Sequence, residues 1–137
     1  MSLILWEYER EYFYCVNIGD SRVYKVSSGK INCLTRDDRI NRPETFRTLS
    51  GIVTKDHWIV TKFIGMQFIE INVGQENIDK GDLLLLSSDG FYTTRKSSIE
   101  KDMIELCRPE NLQSDFNKMV SKFEILADDD LTALIIG

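Results

Sequence analysis

The sequence predicts an α+β chain in which antiparallel strands dominate, and three observations lead there. Short runs of β-branched and aromatic residues, broken by turn formers, fill the first quarter. Leu83-Leu84-Leu85-Leu86 is an unbroken apolar run, and two amphipathic stretches then precede a last Leu- and Ile-rich segment.

In order, the first runs are Leu3 to Glu9, Tyr12 to Ile18, Val23 to Val26 and Ile31 to Leu34, which read as an antiparallel meander. Ser28-Gly29 supplies a hairpin turn, because glycine takes positive φ without a steric penalty. Tyr12 to Ile18 carries bulky residues at both parities and is expected to be covered on both faces. Arg36 to Glu44 is charged, contains Pro43 and has no period, so it reads as a surface loop leading into a short helix from Glu44 to Ser50. Trp58 to Ile64 and Phe68 to Val73 have strand-like spacing, with Gly65 between them. Asp79-Lys80-Gly81-Asp82 turns the chain into Leu83 to Leu86, a strand buried on both faces that ends at Ser87-Ser88-Asp89-Gly90. Ser97-Ser98-Ile99-Glu100 has the form of a capping box before an amphipathic segment to Cys107. Pro109 then opens a second helix to about Phe123. Leu131 to Ile136 has the composition of a central strand. No repeat or linker divides the chain, so residues 1–137 are expected to form a single domain.

Composition narrows the function. Hydrophobic residues make up 42% and charged residues 28%, enough apolar content to bury a core. The net charge of -5 leaves no basic footprint, so neither nucleic acid nor an anionic membrane is an expected partner. Cys15, Cys33 and Cys107 form no C-x-x-C pair and are odd in number, which points to buried or inert thiols and a cytoplasmic location. The start shows neither a membrane-length apolar stretch nor a basic leader with a cleavage site. His57 is the only histidine, which excludes zinc sites built on several, and it is read as structural. No phosphate-cradling glycine string of the nucleotide-binding kinds occurs.

The carboxylates carry what chemistry there is. Asp20, Asp89 and the run Asp128-Asp129-Asp130 each lie at an end of an apolar strand, where short acidic side chains can converge at a sheet rim. Hard cations such as Mg²⁺ and Mn²⁺ take carboxylate and water oxygens, so a shared metal site is chemically reasonable. Singly, each is an ordinary turn or a solvated acidic loop; their joint order is what points to a site.

Five strings in order carry a family resemblance: Val16-Asn17-Ile18-Gly19-Asp20-Ser21-Arg22-Val23-Tyr24, Leu34-Thr35-Arg36-Asp37, Thr61-Lys62-Phe63-Ile64-Gly65, Leu84 to Phe91 with Ser88-Asp89-Gly90 at its centre, and Asp129-Asp130-Leu131-Thr132. Together they resemble the protein phosphatase 2C (PPM) family of metal-dependent serine/threonine phosphatases. The resemblance implies an α-β-β-α fold, an antiparallel β-sandwich flanked by helices. It also implies two or three Mg²⁺ or Mn²⁺ ions that activate a water for attack on phosphorus. Asp89 and Asp129 then match ligands of one catalytic ion, and Asp20 matches a ligand, with Asp89, of an additional ion. Gly19, Arg22 and Gly90 support the motifs, Arg22 by ordering its turn.

Three family features have no counterpart: an early Asn-Glu-Asp string, the Asp-Gly-x-Gly-Gly string that bridges the metals, and an upstream phosphate-gripping arginine. Asp38 replaces the family's histidine, and Arg39 to Trp58 is shorter than many family flaps. The resemblance therefore implies a partial domain whose N-terminal part is missing, inactive or nearly so by itself. A phosphoprotein is the implied substrate, and a homodimer could form through an exposed strand edge or the surface of the missing segment. The alternatives are a pseudophosphatase, a regulatory binding module without hydrolysis, and a divergent phosphatase acting on a small phosphoester.

Overall fold

The computed structural model describes residues 1–7, 9–67, 70–93, 101, 102, 104, 111–124 and 129–137, with backbone alone at 123 and 124. Strands β1 (Ser2–Trp6), β2 (Tyr12–Asn17), β3 (Arg22–Ser27) and β4 (Lys30–Cys33) form where expected, but not as one meander: β1 pairs with β2 in one sheet and β3 with β4 in another, because the turn at Gly19 carries the chain across between sheets. The chain continues through β5 (Arg39–Asn41), β6 (Glu44–Thr48), β7 (Gly51–Lys55), β8 (Trp58–Val60), β9 (Asn72–Asn77) and β10 (Leu83–Ser87). A short helix α1 (Asp89–Thr93), a longer helix α2 (Leu112–Glu124) and β11 (Ala133–Ile136) complete the described elements.

Two antiparallel sheets make the body, one in the order β1-β2-β9 and the other in the order β11-β10-β3-β4. Between them Phe13 and Cys15 of β2 meet Val23 and Leu84 of β3 and β10 in a dry layer. On the other side of the four-stranded sheet, Tyr24, Val26, Leu83 and Leu85 pack against Phe91 and Tyr92 of α1 and Phe116 and Met119 of α2. Leu84 and Leu85 are fully buried in opposite layers, so the apolar run is a strand covered on both faces, as expected. Helix α2 presents its apolar side because Leu112, Phe116, Met119 and Val120 recur at helical spacing.

At one end of the sandwich a buried ion pair clasps the sheets. Lys25 Nζ on β3 lies 2.9 Å from Asp82 Oδ2 and also donates to the Asn77 carbonyl of the opposing sheet at 2.7 Å. Burial pushes the Asp82 carboxyl up, but hydrogen bonds from Ser27, the Asp79 amide and Lys25 outweigh it and hold the group below its ordinary value.

Several expectations are corrected. Glu44 to Ser50 is no helix: it enters the β6-β7 hairpin, whose register pairs Thr45 with Thr54, Phe46 with Val53 and Thr48 with Gly51. Alternating β-branched and aromatic residues and a tight turn before Gly51 (φ 132°) override the helical reading. Arg36 to Glu44 also contains β5, which pairs with β8, so the expected strand from Trp58 stops at Val60. Together the two hairpins make an arm, tied in the middle by the Arg42 amide to the His57 carbonyl at 2.7 Å. The strand expected to end at Val73 instead runs Asn72–Asn77, a polar sequence held by its ladder to β2; Phe68 and Ile69 lie outside the described residues. β2 is covered on one face only: Phe13, Cys15 and Asn17 are buried, while Tyr14 is exposed beside Leu3, Leu5 and Val73. The described residues thus supply three of the four layers of an α-β-β-α sandwich. β11 is an end strand rather than a central one. Of the cysteines expected to be buried or inert, Cys15 is buried and Cys33 is exposed. The capping box at 97–100, Cys107 and Pro109 lie outside the described residues.

Candidate metal centre

The site rim is built by the turn between β2 and β3, the start of α1 and the strand entry at β11. Gly19 takes φ 90°, which turns the chain sharply and puts Asp20 just before β3. Asp38 holds this turn directly, whereas Arg22, expected to order it, bonds Asp37 and Tyr24. The Asp38 carboxylate accepts from the Gly19 amide at 3.2 Å, and its own amide donates to the Gly19 carbonyl at 2.9 Å. Lys62 holds the other Asp38 oxygen at 3.1 Å. Asn17, almost wholly buried, braces the same turn by donating to the carbonyls of Gly19 and Arg36, each at 3.2 Å.

Asp89 stands at the first position of α1, where its Oδ1 accepts from the Gly90 amide at 2.9 Å and its carbonyl accepts from the Thr93 hydroxyl at 2.7 Å. A short helix here was not expected; the small apolar-aromatic string Gly90-Phe91-Tyr92 buries into the core and closes one turn. Gly90 is required by packing. A Cβ there would stand 2.5 Å from the Asp130 carbonyl oxygen, so the Asp129-Asp130 backbone is pressed against the start of α1. Ser88 pins it: its hydroxyl donates to the Asp130 carbonyl at 3.1 Å, accepts from the Thr132 amide at 3.0 Å, and its amide donates to the Thr132 carbonyl at 2.9 Å.

Asp20 and Asp89 are therefore brought to one rim. Burial pushes the Asp20 carboxyl up and the negative charge of Asp89 pushes it further, an electrostatic conflict that a divalent cation between them would relieve. Asp129 is exposed and uses Oδ1 to accept from the Asp130 amide at 2.8 Å. Its backbone abuts Gly90, but among the described residues no three acidic, cysteine or histidine side chains stand together as a metal-holding group. Asp128 lies outside the described residues. The donors at the rim are all oxygens, which suits Mg²⁺ or Mn²⁺, and they form an incomplete set.

Sequence reasoning missed the cationic flank of this rim. Arg22 donates to both oxygens of Asp37 at 2.9 and 2.8 Å, and to the Tyr24 hydroxyl at 3.1 Å. Arg39 Nε lies 2.8 Å from the same Asp37 carboxylate. Burial raises the Asp37 carboxyl, but these two guanidiniums outweigh it and hold the group below its ordinary value. Arg22 stacks 3.8 Å from the centroid of the Tyr92 ring, and the Tyr92 hydroxyl donates to the Asp20 carbonyl at 2.8 Å. Tyr92 thus joins the arginines to the acidic turn. Asp37 was visible in its string; the partnership was not, because it forms across fifteen residues that include the whole β3-β4 hairpin.

His57 is exposed and pairs with Glu44 at 3.1 Å on the arm, away from the acids. A hollow of about 370 Å³ opens beside Ser88, lined in part by Ser2, Ser21 and Thr132. No described helix is long and apolar enough to cross a membrane.

No family model matches the chain, and no curated relative does. Solved structures do. PppA, a key regulatory component of T6SS in Pseudomonas aeruginosa, superimposes with a TM-score of 0.68 at 21% identity, over 98% of this chain and 55% of its own. The catalytic domain of the serine/threonine phosphatase PstP in complex with two manganese ions gives 0.66 at 21% identity, with the same shares covered. The PPM Ser-Thr phosphatase MsPP from Mycobacterium smegmatis, in complex with cacodylate, gives 0.67 at 20% identity over 98% of this chain and 59% of its own. The fold is that of the PPM-type serine/threonine phosphatases, and the chain spans rather more than half the length of these structures.

Proposed function

We propose that this chain is the part of a metal-dependent protein serine/threonine phosphatase that carries Asp20, Asp89 and Asp129 as ligands of Mg²⁺ or Mn²⁺, for hydrolysis of phosphoserine and phosphothreonine in cytoplasmic phosphoproteins. The observation that carries it is the convergence of Asp20 and Asp89 on one rim inside this fold, where burial and then the Asp89 charge push the Asp20 carboxyl up. A bound divalent cation would supply Lewis-acid activation of water and charge neutralisation. The chain's own residues supply position. Asp38 fixes the Asp20 turn, Gly90 lets the Asp129 backbone approach Asp89, and Tyr92 ties the Asp20 backbone to α1. With only two of the acids converging, metal affinity is low and turnover by this polypeptide alone is negligible; a segment adding a bridging carboxylate restores both. Among the described residues β1, β4, β9 and β11 end their sheets, and two copies of the chain would pair there, which sedimentation velocity reads directly.

The test is calorimetric titration of Mn²⁺ and Mg²⁺ with parallel assay of p-nitrophenyl phosphate and a phosphothreonine peptide, first on the chain and then with an N-terminal PPM segment added. Metal-dependent turnover on reconstitution, abolished by Asp89→Asn, is the expected result. Partner binding without turnover in the reconstituted domain would sink it in favour of a regulatory module.

A further inference from the structure

Asp37 has two cationic partners where one would neutralise it. Arg22 already takes both carboxylate oxygens, so Arg39, at 2.8 Å through Nε, leaves the trio with a net positive charge. The Arg39 side chain is only 15% exposed, and neither of its terminal nitrogens donates a hydrogen bond to a described residue. Those nitrogens are not among the buried polar atoms that lack a partner, so the fork faces solvent and is open to an anion arriving from it. Its plane is also fixed: Cζ lies 4.7 Å from the Trp58 ring centroid and 5.7 Å from that of Tyr92. A planar fork held between rings, with its Nε spent on a carboxylate, is suited to bidentate capture of phosphoryl oxygens.

The position fits that ligand. Tyr92, under the Arg39 guanidinium, donates to the Asp20 carbonyl, and the Arg39 charge acts on the Asp20 carboxyl in opposition to Asp89. Arg39 opens β5 at the root of the arm, so it flanks the acidic rim from the arm side.

Resting on the phosphatase reading above, we infer that Arg39 is a binding residue for a phosphate monoester dianion, holding phosphoryl oxygens from the arm side of the acidic rim. This assigns to β5 a phosphate-gripping role carried by no other residue described at the rim.

The experiment follows the arginine Nε-Hε resonances of the ¹⁵N-labelled chain in Mg²⁺ while inorganic phosphate, and separately a phosphothreonine peptide, is titrated in. The Arg39 resonance should shift saturably with both ligands, and Arg39→Lys, which keeps the charge but loses the fork, should weaken each by about tenfold or more. Arg47→Lys, on the exposed β6 strand of the arm, should leave both affinities unchanged. Tighter binding of the peptide identifies a phosphorylated side chain as the ligand, and equal binding identifies the free phosphoryl group; either supports the fork. No saturable shift at millimolar phosphate, or equal affinity in Arg39→Lys, overturns the inference. If the reconstituted domain hydrolyses the peptide with KM unchanged in Arg39→Lys, this inference fails while the phosphatase reading stands. If Arg39 binds phosphate but the reconstituted domain shows no metal-dependent turnover, the phosphatase reading fails while this inference stands.

Discussion

At the scale of single residues, charge placement governs what the rim tolerates. Asp37→Asn leaves Arg22 and Arg39 side by side without their shared carboxylate, and should cost about 2–3 kcal/mol in urea unfolding, the partly exposed site moderating the loss. The acids also set the pH profile. Asp37 and Asp82 have folded pKa values below their unfolded ones, so they stabilise the fold above the unfolded value of about 3.9 and stop doing so as pH falls through their lower folded values. Asp20 has the opposite sign: its raised pKa means that acidification toward about 3.9 favours the folded state. Melting temperature should therefore fall steeply below about pH 4. Asp82→Asn should flatten that fall, and Asp20→Asn should raise the metal-free melting temperature at pH 7.

At the scale of elements, the junction of β10, α1 and β11 and the arm contrast sharply. Gly90→Ala forces a Cβ into the Asp130 backbone at 2.5 Å, where no flexible side chain can yield. It should cost about 1–3 kcal/mol and lower hydrogen-exchange protection in β11, whose entry it displaces. The arm behaves differently because β6 and β7 are exposed along their whole length. Leu49, fully exposed at its tip, should accept serine with a stability change within about 0.5 kcal/mol by urea denaturation.

The whole molecule rests on two apolar layers that share the four-stranded sheet. Leu84 faces one layer and Leu85 the other along a single strand, so the layers should unfold together. Phe13→Ala, in the layer between the sheets, should cost about 3–5 kcal/mol, and fluorescence and far-UV circular dichroism should report one coincident transition. Separate transitions would show that the sheets fold independently despite the hydrogen bond from Lys25 to the Asn77 carbonyl across them.

Much of this was legible in the sequence, and the reason is local. Strands such as Tyr12–Asn17 and Leu83–Ser87 announce themselves because side-chain alternation or an unbroken apolar run reports burial directly. The three acidic turns were legible because each sits where such a strand ends. What stayed hidden depends on partners far along the chain. Asn72–Asn77 is a strand because β2 offers it a ladder, and no apolar pattern of its own records that. Glu44–Thr48 reads equally well as a helix until Gly51–Lys55 folds back on it. The pairing of Arg22 and Arg39 with Asp37 and Tyr92, and the role of Asp38 in the Asp20 turn, exist only after β3, β5 and α1 meet at one rim. Sequence by itself determined the strand-rich class and the candidate acids, because those follow from near-neighbour chemistry; tertiary structure alone decided which acids converge and which cations face them, because that requires segments distant in the chain to share one place.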